Sequence, residues 1–277
     1  MKKVISIGIQ GFSTLREQDC FFIDKTNFIK EWWERKDSVT LITRPRRFGK
    51  TLNMSMMECF FSNKYADRAD LFEGLSVWEE EKYRKLQGTY PVIFLSFAAV
   101  KADNLSDVKE QIKQEIVRLY RRNGYLAESD CLSEEEKREY REISVEMSDA
   151  RLATSINVLC EYMSRYYGKN VIVLLDEYDT PMQEAYVQGY WEGFTSLIRS
   201  LFNAAFKTNP YLERAIMTGI TRVSKESIFS DLNNLRVVTT TSDMYADCFG
   251  FTEEEVFSAL DDYGMGDRKE EVKKWYD

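Results

Sequence analysis

Histidine is absent from this sequence of 277 residues, and its absence excludes whole classes of chemistry. Ser-His-Asp and Cys-His catalysis, histidine-ligated metal centres and imidazole general bases all need a side chain that the chain lacks. Carboxylate, lysine, arginine and hydroxyl groups remain. Magnesium-assisted phosphoryl transfer needs only those groups, so the composition is compatible with it.

Cysteine is scarce, and long apolar runs and an excess of basic residues are missing. The five cysteines are scattered and include no CxxC pair, which fits free thiols in a reducing cytosol and predicts a cytoplasmic protein. No run approaches the length of a membrane span, and the apolar segment near Met1 is too short for a signal peptide, so we expect no membrane partner. Lys+Arg 38 against Asp+Glu 46 gives a net charge of −8, so any contact with nucleic acid must be local.

A turn between an apolar run and a helical segment carries the first motif. The run from Val39 to Ile42 leads into a turn ending in Gly49-Lys50-Thr51, and apolar residues at helical spacing follow. GKT at such a junction is the second half of the phosphate-binding P-loop, GxxxxGK[ST], or Walker A motif. A helix N-terminus favours an anionic phosphate, the Lys50 ammonium reaches the outer phosphates, and the Thr51 hydroxyl ligates Mg²⁺. We therefore expect a site for a nucleoside triphosphate and Mg²⁺.

The loop departs from the consensus at its first position, where Arg44 replaces glycine. Pro45 follows and removes one backbone donor. Arginine side chains now stand where small residues usually let the backbone wrap the phosphates, and we expect Arg46 and Arg47 to supplement that cradle. A basic turn beside a helix N-cap is the alternative interpretation. The predicted nucleotide-binding residues of the loop are Arg46, Arg47, Phe48, Gly49, Lys50 and Thr51.

A continuous apolar run from Val171 to Leu175 ends in Asp176-Glu177. Such a run is typical of a strand buried on both faces of a parallel sheet, and its acidic end then lies at the edge where open α/β folds bind ligands. This is the form of a Walker B element, in which Asp176 holds Mg²⁺ and Glu177 orients and deprotonates an attacking water. A solvated acidic strand end is the alternative, but the two motifs each predict the structural context of the other.

The segment from Leu212 to Ile220 predicts one more strand. If this strand lies beside the other two, Thr218 faces the phosphates as a polar sensor, and Arg222 or Arg214 stabilises charge in the transition state. Ordinary solvent contacts are the alternative for these residues. The predicted catalytic residues are Glu177, Lys50 and Arg222, and the predicted metal ligands are Thr51 and Asp176.

The remaining pattern predicts an α/β P-loop three-layer sandwich with a mainly parallel central sheet. Capping boxes open helices at Ser133 and Thr252, the first expected to run to Met147, and Pro181 is expected to break the chain into a loop through Gly189. Further expected strands are 91–97, the β-prone 237–241 and a strand or extended segment at 21–26; further expected helices are 27–35, 107–121, 151–166 and one from 191.

Three regions are expected along the chain. Residues 1–38 form an N-terminal prelude packed on the core, and its aromatic residues either fill that core or face the nucleotide base. Residues 39–250 form the P-loop domain, and 251–277 begin a C-terminal helical segment. The sequence closes on an apparent helix without a natural stop, which predicts a chain cut from a larger protein.

The motifs together resemble the bacterial predicted AAA-ATPase-like family. The resemblance rests on the RPRRFGK[ST] loop at 44–51, on 22–26 upstream, and on 174–179 and 227–235 downstream. It implies nucleotide binding by a loop that lacks the first glycine throughout the family. It also implies that a PD-(D/E)xK nuclease-like domain, which these residues do not include, often follows as a partner, and nucleic acid is then a possible ligand of that domain.

The function expected from the sequence is Mg²⁺-dependent ATP hydrolysis that switches or drives an attached effector, in a monomer or an oligomer. Two alternatives remain open. One is a nucleotide-binding switch without hydrolysis, and the other is a nucleic-acid-binding module that uses the cluster Arg44, Arg46 and Arg47.

Overall fold

A computed structural model of the chain describes residues 2–220, 228–229 and 231–275. In these ranges five strands form one sheet in the order β2-β3-β4-β1-β5, and every neighbouring pair is parallel. The predicted α/β class and parallel sheet are thus confirmed. The strands are β1 (Val39–Thr43), β2 (Val92–Ser96), β3 (Val171–Asp176), β4 (Leu212–Gly219) and β5 (Leu235–Val238).

Helices cover both faces of the sheet. The α-helices are α1 (Phe12–Glu17), α2 (Asn27–Arg35), α3 (Lys50–Phe61), α4 (Glu81–Leu86), α5 (Leu105–Arg122), α6 (Glu134–Arg141), α7 (Asp149–Tyr167), α8 (Thr180–Val187), α9 (Trp191–Phe202), α10 (Glu253–Asp262) and α11 (Lys269–Lys273). A π-helical turn, Asn203–Lys207, continues α9. The 3₁₀ helices are Asn63–Tyr65, Ala69–Leu71, Ser76–Glu79, Gly124–Glu128, Ala246–Cys248 and Gly266–Arg268.

Two hydrophobic clusters lie on opposite faces of the sheet because successive strand side chains point to opposite sides. On β3, Val171, Val173 and Leu175 belong to one cluster, whereas Ile172 and Leu174 belong to the other. The first cluster includes the apolar stripes of α5, α7 and α9. The second includes those of α1, α2 and α3. Three layers result, and β3 is buried along its whole length.

The helix opened by Ser133 and the segment after Asp179 differ from expectation. The Ser133 capping box is present, but α6 ends at Arg141 instead of continuing to Met147. Tyr140 is the one buried residue of α6, so little packing favours more turns. Pro181 opens α8 instead of breaking the chain into a loop. Proline suits the first turn of a helix, where its missing N–H has no partner to lose.

The segment at 21–26, predicted as a strand or extended segment, contains no strand. An isolated parallel bridge between Val4 and Cys20 lies directly before it, and the Phe21 amide donates to the Val4 carbonyl at 2.8 Å. The capping box of Thr252 and Glu255 is confirmed at the start of α10. No helix in the described ranges has both the length and the apolar character needed to cross a membrane.

Candidate nucleotide site at the carboxyl edge of the sheet

The order of the strands brings three predicted site segments to one edge of the sheet. β4 lies between β1 and β3, pairing Thr43 with Gly219 on one side and Leu175 with Met217 on the other. Because the pairs are parallel, the P-loop after β1, the acids after β3 and the end of β4 all lie at the carboxyl edge. This edge is where ligands bind in open α/β sheets.

Asp176 is the meeting point of two hydroxyl groups that come from different elements. The Thr51 hydroxyl, on the first turn of α3, donates to Asp176 Oδ2 at 2.8 Å. The Thr218 hydroxyl, near the end of β4, donates to Asp176 Oδ1. Asp176 and Thr218 are buried, and hydrogen bonds to a carboxylate are among the stronger ones. The carboxylate is therefore held in a fixed orientation beside the start of α3.

Lys50 is buried at the same place, with 6% of its surface exposed. Its ammonium donates to the carbonyl oxygens of Arg44 and Pro45, both at 2.9 Å. Burial lowers the pKa of Lys50, and the nearby carboxylates of Glu177 and Asp176 partly oppose that shift. A cation so placed lies within the electrostatic influence of the acids that follow β3.

The loop before α3 takes the backbone form that its last glycine allows. Gly49 is the N-cap of α3 with φ of +74°, and Arg47 also has a positive φ of +69°. Arg46, Arg47 and Phe48 are exposed on the loop. Free N–H groups at the start of a helix, together with the helix dipole, attract anions. The loop thus presents exposed guanidinium groups beside a helix N-terminus.

Arg44 occupies the position of the missing glycine and is turned into the protein. It is 4% exposed, its guanidinium lies 5.5 Å from the Phe249 ring, and burial lowers its pKa. Arg44 therefore does not share a surface cluster with Arg46 and Arg47, contrary to the cluster suggested by the sequence. Its guanidinium donates to the carbonyl oxygens of Thr43, Thr239, Met244 and Tyr245.

Glu177 follows Asp176 directly and has left-handed backbone geometry, with φ of +51°. A non-glycine residue rarely adopts this conformation, and functional sites are places where such strain is found. Glu177 is half-buried, and its Oε2 accepts a hydrogen bond of 3.2 Å from the Thr180 hydroxyl at the start of α8. Its carboxylate is thus positioned by the neighbouring helix.

The oxygen atoms at this edge suit a metal ion that takes only some of its ligands from the protein and the rest from a bound substrate. Nowhere in the described chain do three or more Cys, Asp or Glu residues cluster as a metal cage. Mg²⁺ is typically bound by one or two protein oxygens together with substrate phosphates. One carboxylate, Asp176, next to one hydroxyl, Thr51, fits that pattern.

The two arginines considered for the transition state have different outcomes. Arg214 lies near the amino end of β4, away from the site edge, and donates to the Trp33 carbonyl at 2.6 Å. Its guanidinium stacks 4.2 Å from the Trp33 ring, so the catalytic alternative for Arg214 is wrong. Arg222 lies outside the described residues.

A protein-family model described as predicted AAA-ATPase matches residues 6–229. The chain belongs to this AAA-ATPase-like family. The matched range contains the loop, β3 with its acids, and β4. Membership in the AAA-ATPase-like family indicates a nucleotide-binding, ATPase-like domain.

The chain is also similar to a protein of Azotobacter chroococcum mcd 1 named "Uncharacterized protein in vnfD 5′ region". The two are 27% identical over 277 residues, which cover 99% of this chain and 48% of the relative. The chain thus spans about half the length of this curated relative.

Two polar residues beside the loop of this AAA-ATPase-like domain, Asn53 and Lys25, were not predicted as functional residues from the sequence. Asn53 is buried one turn into α3, and its amide donates to the Cys248 carbonyl at 2.8 Å. Lys25 is 7% exposed, and its ammonium bonds to the Asp247 carbonyl and to Glu255. A polar residue on a helix face that is otherwise apolar is the one signal that marks Asn53 in the sequence.

Proposed function

We propose that this domain binds ATP with Mg²⁺ at the carboxyl edge of the sheet and hydrolyses it to switch an attached effector. The hydrogen bond from Thr51 to Asp176 is the observation that carries the proposal. It joins a P-loop hydroxyl to the acid of a buried strand 125 positions away, and these two groups are the pair that a P-loop enzyme uses around Mg²⁺.

Each residue at the edge has a role that its chemistry supports. Lys50 binds the β and γ phosphates as a buried cation, and Thr51 and Asp176 hold Mg²⁺, which neutralises phosphate charge when bound. Glu177 orients and deprotonates the attacking water. Thr218 keeps Asp176 oriented and senses the phosphates. The exposed side chains of Arg46 and Arg47 supply charge beside the loop.

A cavity next to the loop offers space for the nucleobase of the ligand. It has a volume of about 210 Å³ and is bordered by Gly49 and Leu52, at the start of α3. Phe22, Phe48 and Phe251 are among its aromatic walls. Aromatic side chains stack on nucleobases of any kind, because every base has a π-face. We assign this cavity to the nucleobase, which gives the prelude at 1–38 a share in the site.

Phosphate release and equilibrium ATP binding, each with and without Mg²⁺, test the proposal. Lys50→Ala is expected to lose ATP binding. Glu177→Gln is expected to keep binding while turnover falls at least roughly 100-fold, as for loss of a general base. Glu192→Gln, at an exposed position on α9, is the matched control and should turn over like the wild type. Phosphate release that is independent of Lys50 and Glu177 would contradict the proposal.

A switch that binds ATP without hydrolysing it is the second candidate. It is favoured by the departure of the loop from the consensus at Arg44 and Pro45, whose carbonyls hold the Lys50 ammonium and so compete for the cation that would stabilise charge in the transition state of hydrolysis. It predicts tight binding, no phosphate release and no effect of Glu177→Gln. Nucleic-acid binding through Arg46 and Arg47 instead predicts an affinity that falls steeply with salt and does not respond to ATP.

A further inference from the structure

Residues 239–250, here called the strap, connect β5 to α10 and lie against the P-loop. Three P-loop or α3 residues hold the strap through its backbone. The Arg44 guanidinium donates to strap carbonyls, including Met244 at 3.3 Å. The Phe48 carbonyl accepts from the Gly250 amide at 3.2 Å, and Asn53 donates to Cys248 at 2.8 Å. Movement of the loop is therefore tied to movement of the strap.

An ion pair between a buried lysine and a half-buried glutamate continues the connection from the strap to α10. The Lys25 ammonium donates to the Asp247 carbonyl at 2.6 Å and to both carboxylate oxygens of Glu255, at 2.6 and 2.7 Å. Lys25 comes from the prelude, Asp247 from the strap and Glu255 from the first turn of α10. Because the ammonium is almost fully buried, breaking this pair leaves a charge without a partner, which is costly.

The strap itself is strained at Tyr245. This residue has a positive φ of +56°, which is rare for a side chain of its size. Its hydroxyl is buried and makes no hydrogen bond within the described part of the chain. Strained backbone and an unsatisfied buried hydroxyl both raise the free energy of the docked strap. The hydrogen bonds that anchor the strap therefore have to offset the free energy raised by the strained backbone and the unsatisfied hydroxyl.

The cavity assigned to the nucleobase is shared between the loop and the strap. Gly49 and Asn53 border it from α3, Cys248 and Gly250 border it from the strap, and Lys25 also lines it. A ligand in this cavity contacts the strap and the ion-pair cation directly, while its phosphates meet the loop that anchors the strap. A bound nucleotide would therefore affect the strap in two ways, by direct contact in the cavity and through the loop that anchors the strap.

We propose that nucleotide binding stabilises the docked strap and that the Lys25–Glu255 pair transmits this stabilisation to α10. The inference rests on the proposed function, since it takes the cavity and the loop as parts of one nucleotide site. α10 is then the element through which this domain reports its nucleotide state, and whatever contacts α10 receives that report.

Hydrogen exchange of the α10 amides, with and without Mg²⁺ and adenylyl imidodiphosphate, tests the proposal. In the wild type the nucleotide is expected to slow exchange in 253–262 by roughly fivefold or more, the lower end of usual coupling between sites. Glu255→Gln removes the charge that pairs with Lys25, yet glutamine still accepts from the Thr252 amide as a capping-box residue. This variant should exchange faster without nucleotide and respond less to it.

Reciprocity adds a second requirement. Glu255→Gln must weaken nucleotide binding by no more than the factor by which nucleotide slows exchange in wild-type α10. Asp261→Asn, also on α10, removes an exposed ion pair with Lys269 of α11; it is the control and should behave like the wild type. Nucleotide binding without any change in α10 would overturn this inference alone. Failure of the wild type to bind nucleotide at all would overturn the proposed function as well.

Discussion

The Thr218 hydroxyl on β4 donates a hydrogen bond to Asp176 on β3. The two residues lie one register step beyond the pair formed by Leu175 and Met217. The strand that separates β1 from β3 thus also holds the acid in place. Both residues are buried, so the hydroxyl has no water to replace it as a donor.

Thr218→Val is expected to lower the free energy of unfolding by roughly 1.5 to 3 kcal/mol, because a buried carboxylate loses a donor while the side-chain shape is kept. Urea denaturation measures the change. Thr218→Ser keeps the hydroxyl and should lose only about 1 kcal/mol for one methyl group. A valine variant as stable as the wild type would show that the hydroxyl does not matter to Asp176.

Lys50→Met is expected to stabilise the fold at neutral pH while abolishing nucleotide binding. Burial lowers the pKa of Lys50 from its ordinary value of 10.5, so the folded chain holds this proton less tightly than the unfolded chain. The charged form therefore costs stability below the lowered pKa, and the cost fades as the pH rises from that pKa towards 10.5.

Thermal unfolding at several pH values tests this. The methionine variant should have a Tm at pH 7 roughly 2 to 4 °C above the wild type, which is about 1 kcal/mol in a chain of this size. The difference should shrink in alkaline buffer. Lys207→Met, at an exposed position, is the control and should leave the Tm near that of the wild type. A methionine variant with a lower Tm than the wild type at pH 7 would contradict the prediction that the buried charge of Lys50 destabilises the fold.

Arg44→Met is expected to destabilise the protein by roughly 2 to 4 kcal/mol, since several buried carbonyls lose a charged donor together. Arg44→Lys should recover only part of this, because an ammonium lacks the planar fork that reaches separate carbonyls. Arg46→Met, on the exposed part of the same loop, should stay within about 0.5 kcal/mol of the wild type. Equal effects at the two positions in urea denaturation would refute the structural role of Arg44.

Gly250→Ala is expected to cost more than a change of backbone conformation alone. Gly250 has φ of +72°, and an added Cβ would lie 2.9 Å from the Phe48 ring. Gly189 has φ of +80° with no atom within 4 Å of such a Cβ, so Gly189→Ala reports the backbone cost by itself. The backbone term is about 1 to 3 kcal/mol, and the clash adds to it at Gly250.

A double-mutant cycle isolates the clash. Phe48→Ala combined with Gly250→Ala should recover at least about 0.5 kcal/mol relative to the sum of the single changes. Additive effects would mean that the loop and the strap do not press on each other at this contact.

The sequence was sufficient to predict the elements that form the candidate site. GKT and the run ending at Asp176 each have a local pattern, and each demands a parallel α/β context, so the two together specify β1, α3 and β3. The helix from Asn27 to Arg35 was predicted to the residue, because its apolar spacing and flanking residues agree. Caps at Ser133 and Thr252 are local signals and were also found.

Features that depend on contacts between distant parts of the chain were not predicted from the sequence. The side chain of Arg44 looks like a phosphate ligand in its motif, yet its partners lie about 200 positions downstream, and nothing local indicates them. Pro181 suggests a break, but whether proline ends or begins a helix depends on which side carries the packing. The strap was missed because its anchors are backbone carbonyls, which have no signature in side-chain pattern.

The position of β4 has a consequence for the chain during synthesis. Within the part of the chain that the structure describes, β1 pairs with β4 and β5, both of which are translated long after it. A nascent chain that has not yet reached Leu212 therefore carries the loop before α3 on a strand that still lacks both of these neighbours. Such non-local pairing forms slowly, and apolar strand surface that is still unpaired is exposed to aggregation until the later strands arrive.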